Sequence, residues 1–292
     1  MNEGWDERIN VVQCSDLVNS FIITTQRYVI LVDTLISPET ASELFNFARP
    51  KLTDGRSLIA INTHADWDHC WGNQLFAGVW PVIHIPILGT RLTAERLRSD
   101  AEKKTLAEMQ IAQPGVFDKV TLIPPTITFE HDLSIDGGDL TLKLFSTPGH
   151  QPDHISIFIP EISLLLAGDA AEFPFPFAHS AQTLPDLRTS LTRMLALNPA
   201  YTLYCHAPVA SGSKILQENV TYFDQLEARC REAIAQGIPG KPAEDADVVK
   251  LIDYPLDKAV PPLQWESYPP FYTNGHAAQI RLMLEWVAAN PR

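Results

Sequence analysis

The stretch Ser57–His64, SLIAINTH, carries no polar side chain between Leu58 and Ile61. A strand with one wet face alternates polar and apolar residues. A run without alternation suits the interior of a sheet covered on both faces. Such a sheet meets water mainly at its strand ends, where side chains converge on ligands. This strand ends in Thr63-His64-Ala65-Asp66-Trp67-Asp68-His69, two imidazoles and two carboxylates within six residues.

The rest of the chain extends that pattern. SFIITT and YVILVDT are β-branched and flank the polar Gln26-Arg27 of a hairpin turn. SPETASELFNFARPKL opens with Ser37-Pro38, a cap and first-turn pair, and continues with helical apolar spacing. PVIHI reads as a strand, and residues from about 90 to 112 as one charged amphipathic helix. TITFEHDLSID, LTLKLFSTPGH, HISIFIP and ISLLLAGDA read as four strands, with DGGD as one turn. PDLRTSLTRMLALN is a helix, YTLYCHAP a strand, and a further helix runs from Ser213 to about Gln236. Residues 237–270 are Pro-rich and irregular, and FYTNGHAAQIRLMLEWV closes the chain as a helix. The expectation is an α/β fold of two sheets between helix layers, one domain over 1–292, with about 237–292 packed upon it.

Composition narrows the function. The chain has 292 residues, 45% hydrophobic and 20% charged, which is ordinary for a globular protein. Its apolar runs fall short of the ~20 residues of a membrane-spanning helix. The opening MNEGWDERINVVQ lacks the basic-then-apolar order of a secretory signal, so a cytoplasmic location and no membrane partner are expected. A net charge of −13 without a basic cluster argues against a nucleic-acid partner and leaves a small-molecule substrate, an anionic one included, because a metal can reverse the local field. Whether copies of the chain assemble is left open. Cys14, Cys70, Cys205 and Cys230 form no CxxC pair, which disfavours both a disulfide scaffold and a thiolate zinc site.

Further metal-capable residues end other predicted strands: His150 in STPGH, Asp169 in LAGD and His206 in YCHAP. Singly, each is an everyday turn or surface residue. Together with His64, Asp66, Asp68 and His69 they make the mixed imidazole and carboxylate set that a pair of divalent ions requires.

THADWDH, TPGH, AGD and CHAP, in that order, resemble the motifs of the metallo-β-lactamase superfamily in its glyoxalase II-like branch. The resemblance covers roughly residues 15 to 225. It implies an αββα sandwich with a dinuclear centre at one edge. His64, Asp66 and His150 would hold one ion and Asp68, His69 and His206 the other, with Asp169 as the bridge. Zn²⁺ is the expected ion. Asp66 stands where most of the family has His, and that carboxylate also admits Mn²⁺ or iron. Asp33 in LVDT and His154 in HQPDH are expected to support ligands or orient substrate. Tyr272 and His276 are candidates to wall the cleft, although packing of the last helix explains them as well. EFPFPFAHS reads equally as a substrate wall or a buried loop, while His84, His131 and His179 read as structural.

The activity so implied is hydrolysis of a small ester, thioester, lactone or amide-like substrate by a hydroxide shared between two metals. Asp68 would orient that hydroxide and shuttle its proton, and Asp169 would hold the centre together. An iron-dependent redox enzyme and a phosphodiesterase on the same fold are the alternatives.

Overall fold

The structure is a computed structural model that describes residues 4–78, 82–209, 212–261 and 268–291. Eleven strands are described: β1 (Ile9–Cys14), β2 (Val18–Thr24), β3 (Tyr28–Val32), β4 (Ser57–Ile61), β5 (Ile87–Thr90), β6 (Ile127–Phe129), β7 (Leu133–Asp136), β8 (Thr141–Ser146), β9 (Ile155–Ile159), β10 (Leu164–Gly168) and β11 (Tyr201–Tyr204). One sheet has the order β1-β2-β3-β4-β5-β6 and the other β11-β10-β9-β8-β7. Both are mixed. Pairing in the first turns from antiparallel to parallel at β3–β4, and in the second only β10–β11 is parallel.

Side-chain alternation explains how the second sheet serves two layers. Leu164 and Leu166 of β10 join the core between the sheets, whereas Leu165 and Ala167 face the helices. The same period of two sends Ile155, Ile157 and Ile159 of β9 inward. Each Leu or Ile buried this completely contributes about 1.5–3 kcal/mol relative to exposure. Helix α1 (Pro38–Ala48) covers the first sheet through Ala41, Leu44 and Ala48, and its N-terminus carries the capping box formed by Ser37 and Thr40.

Arg91–Arg98 (α2) and Asp100–Ala112 (α3) follow β5. On the second sheet lie α4 (Leu184–Ala196) and α5 (Lys214–Ala235), with the last helix, α6 (Pro270–Ala289), packed against α5. The expected αββα sandwich is therefore present.

Several elements differ from the sequence expectation. The strand expected at 81–85 does not form over its described residues, and pairing begins at Ile87. TITFEHDLSID is two strands, because the chain leaves the first sheet after Phe129 and enters the second at Leu133. The single helix expected over about 90–112 breaks at Ser99. Its backbone is extended and its hydroxyl caps the next helix by accepting from the Glu102 N–H. β1 has no counterpart in the sequence expectation. Within the irregular 237–270 stretch, single helical turns form at Val248–Leu251 and Leu256–Ala259, and 262–267 lie outside the described residues.

Candidate metal centre

The proposed ligands come from loops at the ends of both sheets. His64 follows β4, and Asp66 precedes the one-turn helix Trp67–Cys70 that carries Asp68 and His69. His150 follows β8, Asp169 follows β10 and His206 follows β11. Glycine is required at two of these turns. A Cβ on Gly168 (φ 59°) would stand 2.5 Å from His154 Nε2, and one on Gly149 (φ 134°) 2.2 Å from the Leu187 Cα.

The four imidazoles are oriented in the same way. His64 Nδ1 lies 3.0 Å from Thr63 Oγ1, whose own hydroxyl donates to Asp33. His69 Nδ1 pairs with Asp33 Oδ2 at 2.9 Å. His150 Nδ1 meets the Phe177 carbonyl at 3.1 Å, and His206 Nδ1 the Leu17 carbonyl at 2.8 Å. Each partner oxygen accepts, so each Nδ1 carries the proton and each Nε2 offers a lone pair. Those Nε2 atoms surround one carboxylate oxygen. Asp169 Oδ2 lies 3.1 Å from His69, 3.2 Å from His206, 3.6 Å from His64 and 3.7 Å from His150.

Two triads share this centre. His64, Asp66 and His150 form one group of convergent donors, and Asp68, His69 and His206 form another. Asp66 Oδ2 is 3.6 Å from His64 Nε2 and 3.4 Å from His150 Nε2. Asp68 Oδ2 is 3.2 Å from His206 Nε2, and its Oδ1 is 3.7 Å from His69 Nε2. Among the described residues, the buried atoms His64 Nε2, His69 Nε2 and Asp169 Oδ1 lack any hydrogen-bond partner. Leaving such groups dry and unpaired costs about 1–3 kcal/mol each. Cations between the triads would satisfy all of them, so the donor set fits divalent metal.

The electrostatics agree. Burial alone would depress the imidazoles of His69, His150 and His206. The carboxylates outweigh it, chiefly Asp169 at His69 and His206 and Asp66 at His150, and hold all three well above the ordinary value. Burial alone would raise Asp66 and Asp169. His64 and His150 reverse that at Asp66, and His206 and His69 reverse it at Asp169, so both stay well below the usual carboxylate range. Carboxylates that stay charged when buried draw positive charge to this pocket: protons on the imidazole Nε2 atoms when no metal is bound, and divalent ions in their place.

The supporting residues have separate tasks. Asp33 accepts from the Thr63 N–H and hydroxyl as well as from His69, and so joins β3 to the metal loop. His154 accepts the Asp169 N–H at its Nε2, 2.9 Å away, and its Nδ1 donates to Thr147. Burial, and then the neighbouring His64, push its pKa well down and keep it neutral. Tyr272 lines the cleft above the cluster. His276 does not. It is buried within the helical layer, where Tyr222 donates to Nδ1 and Nε2 donates to the Tyr254 carbonyl, so packing accounts for it.

EFPFPFAHS divides between two surroundings, with Phe175 buried among the helices and Phe173 and Phe177 lining the cleft. His179 also lines the cleft, its ring 4.8 Å from that of His150, whereas His84 and His131 are exposed. Cys205 is buried, its thiol pushed up to about 12 by burial, as suits a packing residue.

Sequence reading missed four residues at this site. Arg96 donates to Asp66 Oδ1 at 2.7 Å and to Asp153, whose other oxygen accepts the Ala65 N–H. Gln151 donates to Asp66 Oδ2 at 2.8 Å. Glu172 is buried 3.3 Å from His150 Nδ1, with burial raising its pKa against the pull of that imidazole. Asp153 and Gln151 sit inside the quoted HQPDH, but nothing in their spacing marks them. Arg96 looks like one more charge on an amphipathic helix.

The profile of the metallo-beta-lactamase superfamily matches residues 16–206, which hold every member of both triads. A beta-lactamase-like protein 2 homolog from Caenorhabditis elegans is 33% identical over 105 residues, 35% of this chain and 33% of its own length. A hydroxyacylglutathione hydrolase from Rhodopseudomonas palustris is 32% identical over 107 residues, 36% of this chain and 42% of its own. The match thus spans less than half of either relative. A solved metallo-beta-lactamase family protein from Thermus thermophilus superposes with a TM-score of 0.62 at 17% identity, over 97% of this chain and 93% of that one. That likeness concerns the fold alone, whereas the profile covers most of the chain together with its clustered donors. The chain belongs to the metallo-beta-lactamase superfamily.

Proposed function

We propose that the protein is a metal-dependent hydrolase cleaving a small ester, thioester, lactone or amide-like substrate. Two divalent ions, Zn²⁺ first among them, would occupy the triads His64/Asp66/His150 and Asp68/His69/His206, with Asp169 between them. The observation that carries this reading is the common orientation of four imidazoles, each committed at Nδ1 and bare at Nε2 around one carboxylate. The likeness to a hydroxyacylglutathione hydrolase supports a hydrolytic reaction class.

Bound there, the ions would supply Lewis acidity and lower the pKa of a water from 15.7 towards ~7. The chain's own groups do the rest. Asp68 lines the cleft and would accept a proton from that water and return it to the leaving group. Asp169 keeps the triads in register. Phe173, Phe177 and Tyr272 also line the cleft and would limit solvent there.

Elemental analysis with an aryl-ester assay tests this. About two equivalents of metal should bind, and chelation should abolish hydrolysis until Zn²⁺ or Mn²⁺ is restored. Full activity in chelated protein would overturn the proposal.

A second reading, an iron-dependent redox enzyme, draws on the carboxylate Asp66 in the first triad and on Glu172 beside His150. Oxygen-rich donors favour harder ions. Oxygen consumption by iron-loaded protein that hydrolyses no ester would select it.

A further inference from the structure

We infer that the substrate is an uncharged ester or lactone with an apolar acyl group. The inference rests on the hydrolase reading and adds to it the class of molecule that fits.

The cleft has a volume of about 420 Å³, within the range of small-ligand sites. Besides metal-cluster residues, the aromatic rings of Trp67, Phe173, Phe177, Phe271 and Tyr272 make up most of the apolar lining. This aromatic wall is anchored. The Phe177 ring lies 4.7 Å from buried Phe175, which stacks at 4.9 Å on buried Tyr222. On the outer side Phe271 lies 5.5 Å from Phe177 and 5.2 Å from Tyr272. The row of rings therefore runs from the helical core to the mouth, where Phe271 is 68% exposed and Leu17 39%. A rigid apolar wall ending in an exposed aromatic favours a ligand that covers it with hydrocarbon.

Charge points the same way. Beyond the proposed ligands the lining contributes two more carboxylates, Asp16 and Glu172, and among its described residues no lysine or arginine. Arg96, behind Asp66, is already held by Asp66 and Asp153. With the ions offsetting the ligand carboxylates, a carboxylate on the acyl arm beside Asp16 or Glu172 would meet like charge, at a cost of about 1–4 kcal/mol per pair at 4 Å.

A second cavity of about 520 Å³ shares Asp16, Leu17, Phe173, His206 and Tyr272 with the first. It adds the uncharged polar side chains Gln13, Ser15 and Asn19, a setting for a neutral alcohol leaving group.

The test compares esters that share the 4-nitrophenyl leaving group and differ at the end of the acyl chain: methyl, methyl ester or carboxylate. Zinc-loaded protein is assayed with 4-nitrophenyl hexanoate, 4-nitrophenyl methyl adipate and 4-nitrophenyl hydrogen adipate. Both neutral esters should exceed the anionic one in kcat/KM by about a hundredfold. Equal or preferred cleavage of the anionic ester overturns the inference and leaves the hydrolase reading standing. Calorimetric binding of N-phenylhexanamide and its terminal-carboxylate analogue to metal-free protein separates the two claims. The neutral amide should bind at least about tenfold more tightly. That preference without ester cleavage would remove the hydrolase reading and keep the pocket assignment, whereas equal binding, or none, overturns the assignment.

Discussion

The two triads contain the same chemistry braced in opposite ways. In the second, His69 leans on a buried carboxylate, Asp33, which follows the neighbouring strand β3 and also ties down Thr63. In the first, Asp66 leans on a cation, Arg96, which reaches over from α2 and is itself held by Asp153. One triad is supported from inside the sheet, the other from a helix on its flank. Support from the sheet resists local opening better, because opening it means disturbing β3 and β4. The first triad is therefore expected to be the looser half of the centre.

The largest test removes what the halves share. Asp169→Ala deletes the oxygen that four imidazoles surround, so metal content should fall in both triads and hydrolysis by orders of magnitude, with the circular dichroism of the fold retained. Unchanged metal stoichiometry would sink the bridging assignment.

Next, Asp33→Ala leaves the His69 Nδ1 proton, the Thr63 N–H and the Thr63 hydroxyl without their acceptor, and through that hydroxyl it also loosens His64. Unfolding should become easier by about 1–3 kcal/mol. Metal affinity of the second triad should drop about 10–100-fold. A denaturant titration and competition with a chelating dye measure the two effects separately.

Arg96→Met probes the other half and should act on it alone. Asp66 would keep Gln151 but lose its cation, and the weaker of two metal-binding steps should be lost while the stronger survives. If both steps weaken equally, the halves are not independently braced. The pair Asp66→His with Arg96→Met sharpens this, since a lone histidine at 66 would face the guanidinium. The double variant should bind two metals and shift selectivity from Mn²⁺ towards Zn²⁺.

The smallest effect lies away from the centre. His276 is buried and neutral, and burial lowers its pKa below the ordinary histidine value. Below that ordinary value, about 6.5, the unfolded chain takes up a proton that the folded chain refuses. Stability is therefore full above that pH and declines as pH falls towards the lowered folded value. His276→Gln should flatten that part of the profile. Thermal melts at about pH 7.5 and about pH 5.5, one on each side of the ordinary value, should show a smaller loss in the variant than in the wild type.

What the sequence disclosed follows from where information is local. Strand cores such as Leu58–Ile61 reveal themselves because every neighbour is apolar. The donors reveal themselves because several metal-capable types end strands in a fixed order. Ser99 and the crossing at Glu130–Asp132 were hidden, because one cap and one change of sheet leave only a residue or two of signal. Arg96 and Glu172 were hidden for another reason. Their partners lie 57 and 22 positions away in the chain, at Asp153 and His150, and only the folded sheets bring them together.

Each triad takes its donors from both sheets: His64 and Asp66 with His150, Asp68 and His69 with His206. Metal bound as proposed would therefore act as a clasp across the sandwich. During synthesis the first triad is complete once residue 150 has emerged, whereas the second waits for residue 206. A nascent chain could capture its first ion before β9–β11 exist, and that ion would then hold the far edge of the unfinished second sheet against the first. Ribosome-stalled chains ending shortly after 150 or after 206 would show whether loading follows that order.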